Sequence, residues 1–190
     1  MPKRLFIAIK PSQITMTSIN AFQANLREKL HYRGIRWVRP ELMHLTLLFM
    51  GDVDESLIPK ISASLKTVST ESKAYDLLFN GTGFFGHPEE LRTIWIGSHD
   101  SGETEKLFSS IYGSLKRFIQ IDKRRLTPHL TLARISDYVP KEDRRFISET
   151  INHHKETSFG SSNINKLELI ESTLTPAGPI YRTLEQFFLR

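Results

Sequence analysis

The sequence predicts an α+β fold, on three observations. Apolar runs of strand length interleave with longer stretches of helical period. The strands suffice to cover two small sheets. A four-residue motif also recurs close to half a chain-length later in the 190 residues. In order, Leu5 to Lys10 reads as the first strand. Pro11-Ser12 opens a helix with Ser12 as N-cap and Ile19, Phe22, Leu26 and Leu30 as its apolar stripe. Trp37-Val38 and Leu45 to Phe49 read as strand, stopped at Gly51-Asp52. A second helix, about Glu55 to Val68, carries Ile58, Ile61, Leu65 and Val68 on one face. Tyr75 to Phe79 and Arg92 to Ile96 are strands around a glycine-rich turn. A third helix, about Gly102 to Ile119, carries Leu107, Ile111, Leu115 and Phe118. Leu130 to Ile135 is a strand, and Pro140 opens a shorter helix through Phe146, Ile147 and Ile151. Leu167 to Leu174 and Ile180 to Leu189 form a terminal hairpin around Thr175-Pro176-Ala177-Gly178.

The length fits one domain, 1–190, or two small lobes sharing a core. With no cysteine there is no disulfide framework, thiolate metal site or cysteine nucleophile. No apolar run is long enough for a membrane span, and the N-terminal apolar stretch is too short for a signal sequence. A cytoplasmic protein is the expectation. Lys+Arg 26 against Asp+Glu 21 gives a net charge of +5, a mild excess that suits an anionic partner.

The recurring motif is His44-Leu45-Thr46-Leu47, repeated as His129-Leu130-Thr131-Leu132. A strand has period two, so each copy presents an imidazole and a hydroxyl on one face, about 6.6 Å apart at roughly 3.3 Å per residue. The leucines anchor the other face. Two such strands in two similar half-chains would face each other across a cleft. Four polar groups gathered there need hydrogen-bonding partners, and a ligand that accepts hydrogen bonds supplies them. One neutral imidazole and one imidazolium on opposite sides of a phosphorus suffice for in-line displacement at a phosphodiester. The threonine hydroxyls can donate to the non-bridging oxygens. No metal is required, because protein groups move the protons.

At these residues the sequence resembles the two-histidine (2H) phosphoesterase superfamily and, within it, the RNA 2′,3′-cyclic phosphodiesterase (2′-5′ RNA ligase-like) family. The likeness covers nearly the whole chain. It includes Arg4 to Ile9, the block Trp37 to Val53, Gly83-Phe84-Phe85 with Arg92 to Gly97, and Thr127 to Arg134. It implies a bilobal α+β fold: two pseudo-symmetric lobes, each an antiparallel sheet with flanking helices, and the active-site cleft between them. It implies hydrolysis of a 2′,3′-cyclic phosphate end to a 2′-phosphate, with some members also running a 2′-5′ ligation. The implied site is His44 as general acid, His129 as general base, Thr46 and Thr131 on the phosphate, and Arg134 as a phosphate-binding or base contact, with no metal and no cofactor. The implied partner is RNA with a 2′,3′-cyclic phosphate end or a cyclic nucleotide; a monomer is the expected state.

Other signals in the sequence carry less. Gly81-Thr82-Gly83-Phe84-Phe85-Gly86 fits G-x-G-x-x-G, but no helix opens there, so a hairpin loop is expected rather than a dinucleotide site. Phe84 or Phe85 is a base-stacking or a core residue. His153-His154 reads as a solvated helix end, and Lys123-Arg124-Arg125 as a basic cluster near the cleft. The alternatives to catalysis by the two histidines are a non-catalytic RNA-end binding module in the same groove and a histidine-ligated metalloenzyme. The second is disfavoured because neither motif brings a carboxylate.

Overall fold

The computed structural model describes residues 2–121, 127–176 and 178–190. The basic cluster at Lys123-Arg124-Arg125 lies outside the described residues, as does Ala177 of the terminal turn. Among the described residues the elements are β1 (Pro2–Ile9), α1 (Gln13–Lys29), β2 (Ile35–Trp37), β3 (Leu45–Asp54), α2 (Ile58–Glu71), β4 (Tyr75–Phe85), β5 (Thr93–His99), α3 (Glu103–Leu115), β6 (His129–Ile135), α4 (Lys141–Asn152), β7 (Ser158–Ile164), β8 (Lys166–Thr175) and β9 (Gly178–Phe188). The strands pair antiparallel in the order β7-β4-β5-β6-β3-β1-β8-β9, with β2 on β6. The α+β class is the observed one. The two expected sheets are joined, because β3 and β6 meet through one residue pair, Leu45 opposite Leu130.

One face of this sheet is covered by helices. α2 and α3 pack on β3, β8 and β9, and α1 and α4 pack on β7 and β4. The core between them holds Leu5, Ile7 and Ile9 of β1 with Leu45, Leu47, Leu130 and Leu132, and the helix residues Ile19, Leu26, Ile61, Leu65 and Ile111. Each such side chain contributes about 1.5–3 kcal/mol by leaving water. The opposite face carries a smaller cluster of Phe6, Ala8 and Ile170 with Tyr181 packed on it. β1 is therefore buried on both faces, which is why it reads as an unbroken apolar run.

Several boundaries differ from expectation, each for a physical reason. β3 does not stop at Gly51-Asp52. Gly51 takes φ +70°, and the register slips so that Leu5 faces Gly51 while Phe6 faces Phe49. The glycine absorbs a bulge and the strand runs on. The Gly81–Phe85 stretch is not a hairpin loop but the end of β4. Gly83 lies under the Trp95 indole, where a Cβ would come within 2.3 Å of the ring. α3 ends at Leu115, leaving Phe118 beyond it. In α4, Ile147 and Ile151 are buried, while Phe146 is turned outward and exposed. β7 has no counterpart among the expected strands. Its inward Ser162 is satisfied by polar groups at the start of α1 rather than by apolar neighbours, donating to Thr15 Oγ1 at 2.9 Å and accepting from the backbone N–H of Ser12 at 2.9 Å.

Candidate active site

His44 immediately precedes β3 and His129 begins β6. The period-two alternation holds in both copies. Leu45, Leu47, Leu130 and Leu132 are buried, and His44, Thr46, His129 and Thr131 are half-buried on the opposite face. Because the strands are antiparallel about the Leu45–Leu130 pair, His44 runs toward Thr131 and Thr46 toward His129. All four side chains line one cleft of about 650 Å³, together with Arg134. Arg4, Arg36 and Arg39 also line it, and no carboxylate among the described residues does.

The two histidines are held alike. His44 Nδ1 lies 2.7 Å from the Leu42 carbonyl, and His129 Nδ1 lies 2.7 Å from the Thr127 carbonyl. A carbonyl only accepts, so each Nδ1 carries the hydrogen and Nε2 is the nitrogen available to a ligand. Aromatic rings fix the imidazole planes. Phe6 stacks on His44 at 4.8 Å, and Tyr181 meets it edge-on at 5.4 Å. Phe85 meets His129 edge-on at 4.8 Å and in turn lies 5.6 Å from Trp95. Phe85 thus supports a site histidine, and Phe84 packs on the core.

Burial pushes both imidazoles below their ordinary pKa. The backbone carbonyl bonds oppose this in each. The positive charges of Lys10, His129 and Arg134 add to the depression of His44, and Arg134 adds to that of His129. Beside the cleft, the buried Glu168 takes Lys10 Nζ at 2.9 Å, Gln186 Nε2 at 2.9 Å and Thr183 Oγ1 at 3.2 Å. Burial pushes that carboxyl up, but these partners outweigh it and hold it below its ordinary value. Two histidines and two hydroxyls among four arginines form a donor set suited to an anion and hostile to a divalent cation.

The implied site residues His44, Thr46, His129, Thr131 and Arg134 all line this cleft, whereas Phe84 and Phe85 do not. Sequence reasoning missed Phe6, Tyr181, Arg4, Arg36 and Arg39. Two other histidines stand apart. His153 Nδ1 donates to the Glu149 carbonyl at 2.7 Å, and His154 is not simply solvated, since it packs edge-on against Phe22 at 5.0 Å. No helix among the described residues is long and apolar enough to cross a membrane.

Residues 9–95 match the family model described as LigT like phosphoesterase. The chain is 30% identical over 179 residues to the RNA 2′,3′-cyclic phosphodiesterase of Aquifex aeolicus, covering 92% of this chain and 93% of that one. It is 30% identical over 184 residues to the protein of the same name from Archaeoglobus fulgidus, covering 97% and 99%. Among solved structures, one from Thermus thermophilus superposes with a TM-score of 0.80 at 26% identity, covering 98% of each chain.

Proposed function

The chain belongs to the LigT-like phosphoesterases, the family of the RNA 2′,3′-cyclic phosphodiesterases, and from that premise we propose that it opens the 2′,3′-cyclic phosphate at an RNA end and leaves a 2′-phosphate. The observation that carries the reading is the pair of histidines, each with Nδ1–H tied to a carbonyl and Nε2 left available, on antiparallel strands of one arginine-lined cleft.

In the proposed mechanism, His129 Nε2 takes a proton from water as the water oxygen bonds to phosphorus. The bond from phosphorus to the 3′ oxygen breaks in line, and protonated His44 Nε2 gives that oxygen its proton. Each transfer contributes typically about 10²–10⁴-fold. Thr46 and Thr131 hydroxyls donate to the non-bridging oxygens, and Arg134 offsets the charge that builds there. All charge and proton movement is assigned to side chains, so no metal takes part. With an RNA 5′-hydroxyl in place of water, the same displacement gives a 2′-5′ linkage and a free 3′-hydroxyl. We further read 1–190 as one domain of two pseudo-repeated lobes, a reading supported by the two His-x-Thr strands meeting at a single pair.

The test is incubation with a nucleoside 2′,3′-cyclic phosphate in excess EDTA, resolving 2′- from 3′-phosphate. The expected result is a 2′-phosphate formed at an undiminished rate. A clean 3′-phosphate product would reverse the assigned orientation, and no turnover of any cyclic end would overturn the reading.

A further inference from the structure

Arg36 on β2 is the register partner of Arg134 on β6. Both line the cleft. Like charges directly opposed across an antiparallel pair repel and destabilise it. Neighbouring cations are compensated within the protein: Arg39 pairs with Glu41 at 3.3 Å and Arg92 with Asp137 at 3.6 Å. Among the described residues no carboxylate pairs with Arg36 or Arg134. Among the described residues the pair therefore has no counter-charge within salt-bridge distance, and an anion from outside would supply one.

The two arginines differ in reach. Arg134 bears electrostatically on His44, His129 and Tyr181, so it belongs to the reacting phosphate. Arg36 also lines a second hollow, of about 740 Å³, with Tyr32, Arg33, Tyr138 and Asp143. It is therefore the link between the cleft and this outer hollow. There Tyr138 is 93% exposed. An exposed aromatic beside a cationic track is the arrangement on which single-stranded bases stack.

We infer that Arg36, opposite Arg134, holds the phosphodiester one nucleotide upstream of the cyclic phosphate, and that Tyr138 stacks on the base beyond it. The chain's substrate is then an RNA end of two or more nucleotides in preference to a mononucleotide. The inference rests on the hydrolysis reading above.

Adenosine 2′,3′-cyclic phosphate is compared with a dinucleotide carrying the same cyclic end, for the wild type, Arg36→Gln, Arg36→Lys and Tyr138→Ala. Affinities for the matching mono- and dinucleotide 2′-phosphates are measured in parallel. The wild type is expected to favour the dinucleotide by about tenfold or more in kcat/KM and in Kd. Arg36→Gln should collapse that preference and flatten the salt dependence for the dinucleotide by about 0.7 in log–log slope. Arg36→Lys should keep most of the preference, and Tyr138→Ala should lose part of it. Without ligand, Arg36→Gln should melt at a higher temperature than the wild type, because the repulsion is gone. Equal handling of both lengths by the wild type, or an equal loss for both in Arg36→Gln, overturns the subsite. Turnover without length preference sinks the subsite and leaves the hydrolysis reading standing. Length-dependent binding without turnover does the reverse, and neither binding nor turnover removes both.

Discussion

Each cleft histidine commits Nδ1–H to the carbonyl two residues back, so only Nε2 is available to exchange protons with a substrate. In the free protein both imidazoles titrate below about 6.5, through burial first and neighbouring cations second. The proposed reaction needs one neutral and one protonated ring. The bell for kcat/KM, which reports the free protein, should then centre below about 6.5. A bound phosphodiester anion favours imidazolium, so the kcat bell should lie at higher pH; superimposable profiles would contradict this electrostatic account. His44→Ala and His129→Ala should each lower kcat by about 10²-fold or more. Thr46→Ala and Thr131→Ala should lower it by about 10-fold to 10³-fold. A substrate with a good leaving group needs no acid, so it should rescue His44→Ala and leave His129→Ala inactive; the opposite pattern reverses the two roles. The four motif residues were legible in the sequence because the motif recurs at half-chain spacing and period two puts a histidine and a threonine on one face in each copy. Phe6 was not legible, since it sits in a run buried on both sides where alternation vanishes. Tyr181 was hidden because only the β8–β9 pairing, Ser172 to Tyr181, carries it to the cleft face.

At the scale of elements, the two histidine strands are joined at one register pair. Leu45 and Leu130 are each fully buried and form the sole register pair of β3 with β6 among the described residues. Leu65 of α2 is equally buried but lies on a helix whose main packing partners are α3, β8 and β9. Leu130→Ala and Leu65→Ala should each destabilise the fold by about 2–5 kcal/mol. Only Leu130→Ala should also lower kcat at a temperature where both variants remain folded, because it lets the two motifs drift apart. Equal kcat in the two variants, measured beside their melting curves, would show that the seam does not set the site. Helices and apolar strands were readable because they bury one face in a regular period. What was not readable depended on tertiary partners. β7 hides its inward Ser162 behind the Ser12 amide and the Thr15 hydroxyl at the start of α1. The end of β4 looks like a loop until Trp95 is laid across Gly83. Gly83→Ala should accordingly displace that indole and cost about 1–3 kcal/mol in denaturant unfolding, as overpacking does.

Over the whole molecule, the net charge of +5 is modest, and its placement matters more than its size. Arginines 4, 36, 39 and 134 converge on one cleft that no carboxylate among the described residues lines, and of the four only Arg39 pairs with a described carboxylate. A field of one sign in a concave site draws anions in and should appear in association rather than in chemistry. For an RNA substrate, log(kcat/KM) should therefore fall linearly with log salt, by about 0.7 for each phosphate contacted, while kcat stays nearly flat. The same field disfavours a divalent cation. Zn²⁺ or Mn²⁺ added at constant ionic strength should accordingly give no gain, and exhaustive chelation should give no loss. Recovery of a chelated, inactive preparation by Zn²⁺ or Mn²⁺ would mean that a metal supplies the charge assigned here to Arg134 and the two threonines. The two measurements separate the contributions. A steep salt dependence with indifference to chelation is what an all-protein anion site gives, because screening acts on the guanidinium groups and leaves the proton transfers between Nε2 and substrate untouched.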